Sequence, residues 1–354
     1  MTRIRISHLL FLYMIAAGCR TAFDTKPITD QDLQKIHGEV STPYKFGVVM
    51  EQPDPARLID SPSIFYWNGA WCMAYIIFDG KGYETWLAKS DDLLHWTTQG
   101  RILSFTRDGW DATQKAGYIA LLNTEWGKPP VPVSFQGNYW LSYLGGNVEG
   151  YEAGRLGVGM AYTKDPSQPK EWTRMPAPVL SANDMDARWF EHGTIFKSSI
   201  IRDDRKHTGH PFVMYYNARG DTAEYESIGM AVSDDMQHWT RFGDEPVVSQ
   251  RKNGTISGDA QIVKIEGLYV MFYFGAFWNG SKNAVERFAV SRDLIHWREW
   301  EGEDLVKPSE TYDGTYAHKP CVLKWKGTVY HFYTAVGDHG RVIALATSKP
   351  LKNP

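Results

Sequence analysis

One nine-residue pattern constrains this chain more than any other feature. Ala88-Lys89-Ser90-Asp91-Asp92-Leu93-Leu94-His95-Trp96 returns as Ala231-Val232-Ser233-Asp234-Asp235-Met236-Gln237-His238-Trp239, and again as Ala289-Val290-Ser291-Arg292-Asp293-Leu294-Ile295-His296-Trp297. Weaker copies are Ala161-Tyr162-Thr163-Lys164-Asp165, followed by Trp172, and the terminal Ala346-Thr347-Ser348. Five copies of one ending mean five copies of one structural unit, arranged radially or in line.

The unit heads repeat as well. Trp67-Asn68-Gly69-Ala70-Trp71 leads to Tyr75, Phe135-Gln136-Gly137-Asn138-Tyr139 to Tyr143, Ile265-Glu266-Gly267-Leu268-Tyr269 to Tyr273, and Trp325-Lys326-Gly327-Thr328-Val329 to Tyr333. Each unit reads as a strand, a glycine turn, an aromatic strand, a small-residue strand and a polar turn closed by Trp. That is about four short strands, the content of one propeller blade. The expected fold is therefore all-β, a five-bladed β-propeller of four-stranded antiparallel blades over residues 58–354. Repetition also answers the length: 354 residues exceed one compact core, whereas stacked repeats each bury a layer against the next.

Residues 1–19 read as a targeting segment outside the fold. Arg3 and Arg5 form the charged end, Leu9 to Ala17 the apolar run, and Ile15-Ala16-Ala17-Gly18-Cys19 resembles a lipoprotein cleavage box in which Cys19 takes the lipid. This predicts export to the periplasm or outer membrane, with the membrane touched only through that anchor. Residues 20–57 read as a tether and an irregular lead-in, with a short helix around 30–36. Cys72 and Cys321 fall in apolar runs of different units and are expected as buried free thiols. A net charge of -3 gives no basic field for nucleic acid. No cysteine–histidine spacing suggests a metal, no cofactor fingerprint appears, and no ligand pattern supports a structural cation.

Function belongs where the repeat is broken. Counting back nine residues from each turn glycine aligns the unit openings at Asp60, Lys128 and His318, with Gly258 one short of Asp259. Lys197 aligns through its own strand. In a radial array these ionisable side chains converge at one end of the axis, where desolvation and proximity shift their pKa values. Asp60 is the candidate base. Glu191, in Trp189-Phe190-Glu191-His192-Gly193, sits between aromatic residues that would raise its pKa as a general acid requires.

The Asp60-Ser61-Pro62-Ser63-Ile64 opening, the five units and the Ser-Asp-Asp-x-x-x-Trp tails resemble the five-bladed propeller glycosidases, notably glycoside hydrolase family 43, over residues 58–350. The resemblance implies Asp60 as general base and Glu191, in Glu191-His192-Gly193-Thr194-Ile195-Phe196-Lys197, as general acid. The second-unit Asp of that family is replaced by Lys128, leaving Asp259 or Asp111 to orient the acid. The set Asp60, Asp259 and His318 also resembles family 117, in which His318 would be the acid. The expected reaction is hydrolysis of a plant or algal oligosaccharide, inverting if the two carboxyl groups face each other across the axis with room for a water, and end-cleaving because the long insertions between units suggest a closed pocket. Lys128, Lys197, Arg188 and His318 would hold the sugar, and their charge suggests an anionic one. Trp110, Trp189 and Trp278 would supply ring platforms. A glycoside phosphorylase and a non-catalytic glycan-binding lipoprotein are the alternative readings.

Overall fold

The computed structural model describes residues 26–52, 54, 56–221 and 225–351. Residues 1–25, with the expected export signal and Cys19, lie outside them. The strands form five successive antiparallel groups. The first is β2 (Leu58–Trp67), β3 (Ala70–Phe78), β4 (Tyr83–Ser90) and β5 (Thr97–Leu103). The second is β6 (Gln114–Ile119), β7 (Tyr139–Gly146), β8 (Gly157–Thr163) and β9 (Thr173–Arg174), with β10 (Leu180–Ser181) also on β8. The third is β11 (Thr194–Arg202), β12 (Phe212–Arg219), β13 (Glu226–Ser233) and β14 (Thr240–Arg241). The fourth is β15 (Ile256–Ile265), β16 (Leu268–Ala276), β17 (Ala284–Ser291) and β18 (Arg298–Glu299). The fifth is β19 (Tyr316–Trp325), β20 (Thr328–Gly337) and β21 (Gly340–Thr347), completed by the N-terminal β1 (Tyr44–Met50).

The first strands β2, β6, β11, β15 and β19 each pack against the next, and β19 returns to β2, so they make a closed ring. Part of the lead-in is thus structural, because β1 supplies the outer strand of the last group. Helix α1 (Asp30–Val40) begins at a capping box from Thr29, and Leu33, Ile36 and Val40 pack into the core of the fourth group beside Val270 and Phe272.

The repeated tail is framework. Ser90 Oγ accepts the Asp92 and Leu93 amides, Asp92 accepts those of Leu94 and His95, and Trp96 Nε1 donates to the Leu93 carbonyl at 3.1 Å. The same bonds recur at Ser233–Trp239 and Ser291–Trp297. Leu93, Met236 and Leu294 all hold a left-handed backbone, with φ of 70°, 66° and 66°. That conformation is costly for a non-glycine residue; burial of each side chain offsets it. The turn pairs Asn68-Gly69 and Lys326-Gly327 have positive φ at both residues, the tight hairpin that suits strand twist.

The second group departs from the sequence alignment. Its first strand is β6, and residues 120–134 form an excursion before the Gly137 turn. Counting back from that glycine therefore lands on Lys128, in the excursion, and not on a first strand. Cys72 and Cys321 are buried free thiols.

Candidate functional site

Four first strands carry a bulge at the corresponding place. Pairing slips between Asp60 and Ser63, between Ile195 and Ser198, between Gly258 and Gln261, and between His318 and Cys321, and three of the four have a positive φ there, at Ser61, Asp259 and Lys319. A bulge re-aims the local side chains, here towards the mouth of the ring. The third strands start at the same mouth. Parallel bridges Tyr83↔Gln114, Glu226↔Ile256 and Ala284↔Tyr316 set each third-strand start beside the next group's first strand.

These starts enclose a cavity of about 190 Å³, room for one sugar ring. Its charged lining is Glu152, Glu226, Asp259, Lys197, Lys319 and Arg341. His318, Asn217, Tyr118 and Tyr151 add polar groups, and Phe196, Phe274 and Ile76 are among the apolar walls. Glu226, first residue of β13, meets its nearest cation, Arg219, only at 3.9 Å. Burial, reinforced by the charges of Glu152 and Asp259, pushes its carboxyl up to about 8. Glu152 lies in the loop between β7 and β8; burial raises its pKa too, against the pull of Lys319 and Arg341. Neither glutamate stood out in the sequence.

Asp60 is the counter-ion of two lining cations, Lys319 and Arg341. Its Oδ1 accepts the Ser61 amide at 2.9 Å and the Thr334 hydroxyl at 2.8 Å, and its Oδ2 accepts Lys319 Nζ at 2.8 Å and Arg341. Although burial alone would raise its pKa, Lys319, Arg341 and His318 hold it far below the usual carboxylate range. Such a group is a weak base. Lys197 Nζ lies 3.3 Å from Asp259 Oδ2 and 4.3 Å over the Tyr118 ring, and Asn217 Nδ2 donates to Asp259 Oδ1 at 3.1 Å. The three lining cations thus each have a carboxylate partner. His318 Nδ1–H donates to the Thr334 carbonyl at 2.9 Å, and burial lowers its pKa to about 3. It is neutral near pH 7, with Nε2 an acceptor, and does not suit a general acid.

Other expected residues lie elsewhere. Glu191 is fully buried but does not line the cavity. Its oxygens accept Tyr216 and Arg241, and Arg241 also donates to Asp184, Asp186 and the Ser181 carbonyl. The sequence placed it correctly before a first strand; a partner 50 residues on makes it an anchor. Asp111 is tied to Tyr143 and Arg174. Lys128 lines a cleft with Ser199, Gln261 and Lys324, at the far ends of the first strands. Arg188 bonds the Gly243 carbonyl. Trp278 donates to the Ile256 carbonyl and lies under Arg287; Trp189, 40% exposed, packs on Phe190 and Tyr225. None of these lines the cavity. Among the described residues no cluster of His, Cys, Asp and Glu is suited to a metal ion.

No family model matches the sequence, and no curated protein matches it. Solved structures do. The sequence is 43% identical to that of BT0996 in a structure of its RGII complex, with a TM-score of 0.90 over 93% of this chain and 97% of that one. It is equally 43% identical to a structure described as "Glycoside hydrolase", with a TM-score of 0.89 over the same shares. A thermostable family-43 glycoside hydrolase, 16% identical with a TM-score of 0.60 over 84% of this chain and 95% of that one, shares the fold. A ring of antiparallel sheets with buried carboxyl groups at its mouth, and this level of identity over nearly the whole length, place the protein among the propeller-type glycoside hydrolases.

Proposed function

We propose that this enzyme has five blades and removes one neutral sugar from the end of an oligosaccharide by hydrolysis, with Glu226 as general acid and Glu152 as base. One observation carries the reading. Two half-buried carboxyl groups share one sugar-sized cavity, and both are disfavoured as anions, Glu226 up to about 8. An acid still protonated at neutral pH can give its proton to the leaving oxygen. Glu152, the one closer to the influence of Lys319 and Arg341, is the better base towards water, and the product anomer would be inverted.

A cavity with room for one sugar ring favours end cleavage. Its cations are already paired with Asp60 and Asp259, which favours a neutral sugar over an anionic one and disfavours a site for inorganic phosphate. Asn217, His318 Nε2 and Tyr118 line it and are suited to sugar hydroxyls. The likeness to BT0996 makes an RGII oligosaccharide the first substrate to try. The N-terminal pattern supports export with a lipid on Cys19.

The test is incubation with that oligosaccharide, with and without phosphate. Release of a free monosaccharide at a rate independent of phosphate is expected. A sugar 1-phosphate, or binding with no release, would overturn the proposal.

A further inference from the structure

Glu152 stands on a loop, not on a strand, and its backbone is left-handed at φ 49°. A catalytic group must be held to within a fraction of an ångström, so the question is what holds it. The first half of the loop is tied down by Gln114, whose Nε2 donates to the Val148 and Gly150 carbonyls at 2.7 and 2.8 Å. The Gly150 amide donates to the Lys81 carbonyl at 2.8 Å. These bonds stop two residues short of Glu152.

The next anchor is Tyr151. Arg341 Nη1 donates to its hydroxyl at 2.9 Å, and the guanidinium lies 5.4 Å over its ring. The ring meets Phe78 and Tyr83 edge-on, with centroids 5.5 and 5.7 Å apart. Arg341 is the second residue of β21, 190 residues further along the sequence, and it also donates to Asp60 on β2. Tyr151 is 43% exposed, so burial does not oblige its hydroxyl to find a partner; the bond is a feature of the mouth.

We propose that Asp60, Arg341 and Tyr151 form a clasp that positions Glu152, joining the first, second and fifth groups across the cavity. This rests on the reading of Glu152 as base. It gives Asp60 a role: a buried anchor that fixes the direction of a planar guanidinium, which fixes Tyr151 and so the residue after it. The ionisation of Glu152 feels Lys319, Asp60, Arg341 and Asp259, with Glu226 facing it across the cavity. Arg341 therefore acts twice, through Tyr151 and through its own charge.

The experiment is steady-state kinetics of Tyr151→Phe, Arg341→Gln, Arg341→Lys and Glu152→Gln on the RGII oligosaccharide, across pH, with melting temperatures alongside. Tyr151→Phe keeps the ring and loses only the hydroxyl. Its kcat should fall about tenfold or more, with KM within about twofold of wild type and an unchanged melting temperature. Arg341→Gln should move the acid limb of kcat/KM to higher pH, and Arg341→Lys should move it back. Wild-type kcat in Tyr151→Phe, or a change confined to KM, overturns the clasp. If Glu152→Gln is inactive in that case, the clasp alone fails; if Glu152→Gln turns over like wild type, the reading beneath it fails as well.

Discussion

Two glutamates, Glu191 just before the third group and Glu226 within it, are the same side chain in opposite surroundings. Both Glu191 oxygens are held, one by Tyr216 and one by Arg241, and Arg241 is itself held by Asp184, Asp186 and a carbonyl. Glu226 has an arginine at 3.9 Å, other acids nearby and a cavity in front of it. A buried carboxyl group with both oxygens held by strong donors, and no cavity in front of it, anchors the structure. A buried carboxyl denied its partners keeps its proton, and that proton can be delivered. Asp60 falls on the Glu191 side of this divide, despite its place at the mouth.

The contrast can be broken by substitution. The largest effect should come from Glu152→Gln, an isosteric change in the cavity pair. Activity should fall by roughly 10²–10⁴-fold, the span of general acid–base catalysis, with no loss of melting temperature; wild-type turnover would erase the distinction. Next is Glu191→Gln in the Arg241 network. It leaves a buried guanidinium short of one carboxylate and should cost about 3 kcal/mol in denaturant unfolding, while specific activity of the folded enzyme stays near wild type. An unaltered unfolding midpoint would contradict the anchor.

The pH dependence sharpens the same comparison. With Glu226 protonated until about pH 8, kcat/KM should decline as pH rises through that value, since the acid form is lost. A profile flat to about pH 9.5 would contradict it. The smallest effect concerns His331, fully buried on β20, with its pKa pushed down to about 3 by burial. Below pH 6.5 the unfolded polypeptide takes up a proton that the folded one refuses. Its contribution to stability is therefore present above that pH and lost as pH falls towards about 3. His331→Phe, among Phe272 and Tyr333, should make melting temperature less sensitive to acid in that window. An unchanged slope would exclude His331 as the source.

How much of this was legible in the sequence depended on whether the signal was local. Turns such as Ser90–Trp96 and Asn68-Gly69 are closed by their own hydrogen bonds and backbone angles, so their repetition announced the strand groups. The mouth was half visible. Counting from the turn glycines found the first-strand openings of Asp60, Asp259 and His318, but third strands begin at the same mouth, and Glu226 and Arg341 arrive there on them. That signal was present, five residues before Ala231 and five before Ala346. Glu152 stands in an excursion with no counterpart in the other units, and nothing local marks it. Glu191 stood out because its neighbours in sequence are aromatic, whereas its partner is Arg241, a contact only the folded protein makes.

The most direct measurement sets Glu226→Gln beside Glu191→Gln on the RGII oligosaccharide, at a temperature where circular dichroism shows both folded. Glu226→Gln should lose turnover by at least about 10²-fold while Glu191→Gln keeps it. Retained turnover in Glu226→Gln, with loss in Glu191→Gln, would contradict the assignment of the active site.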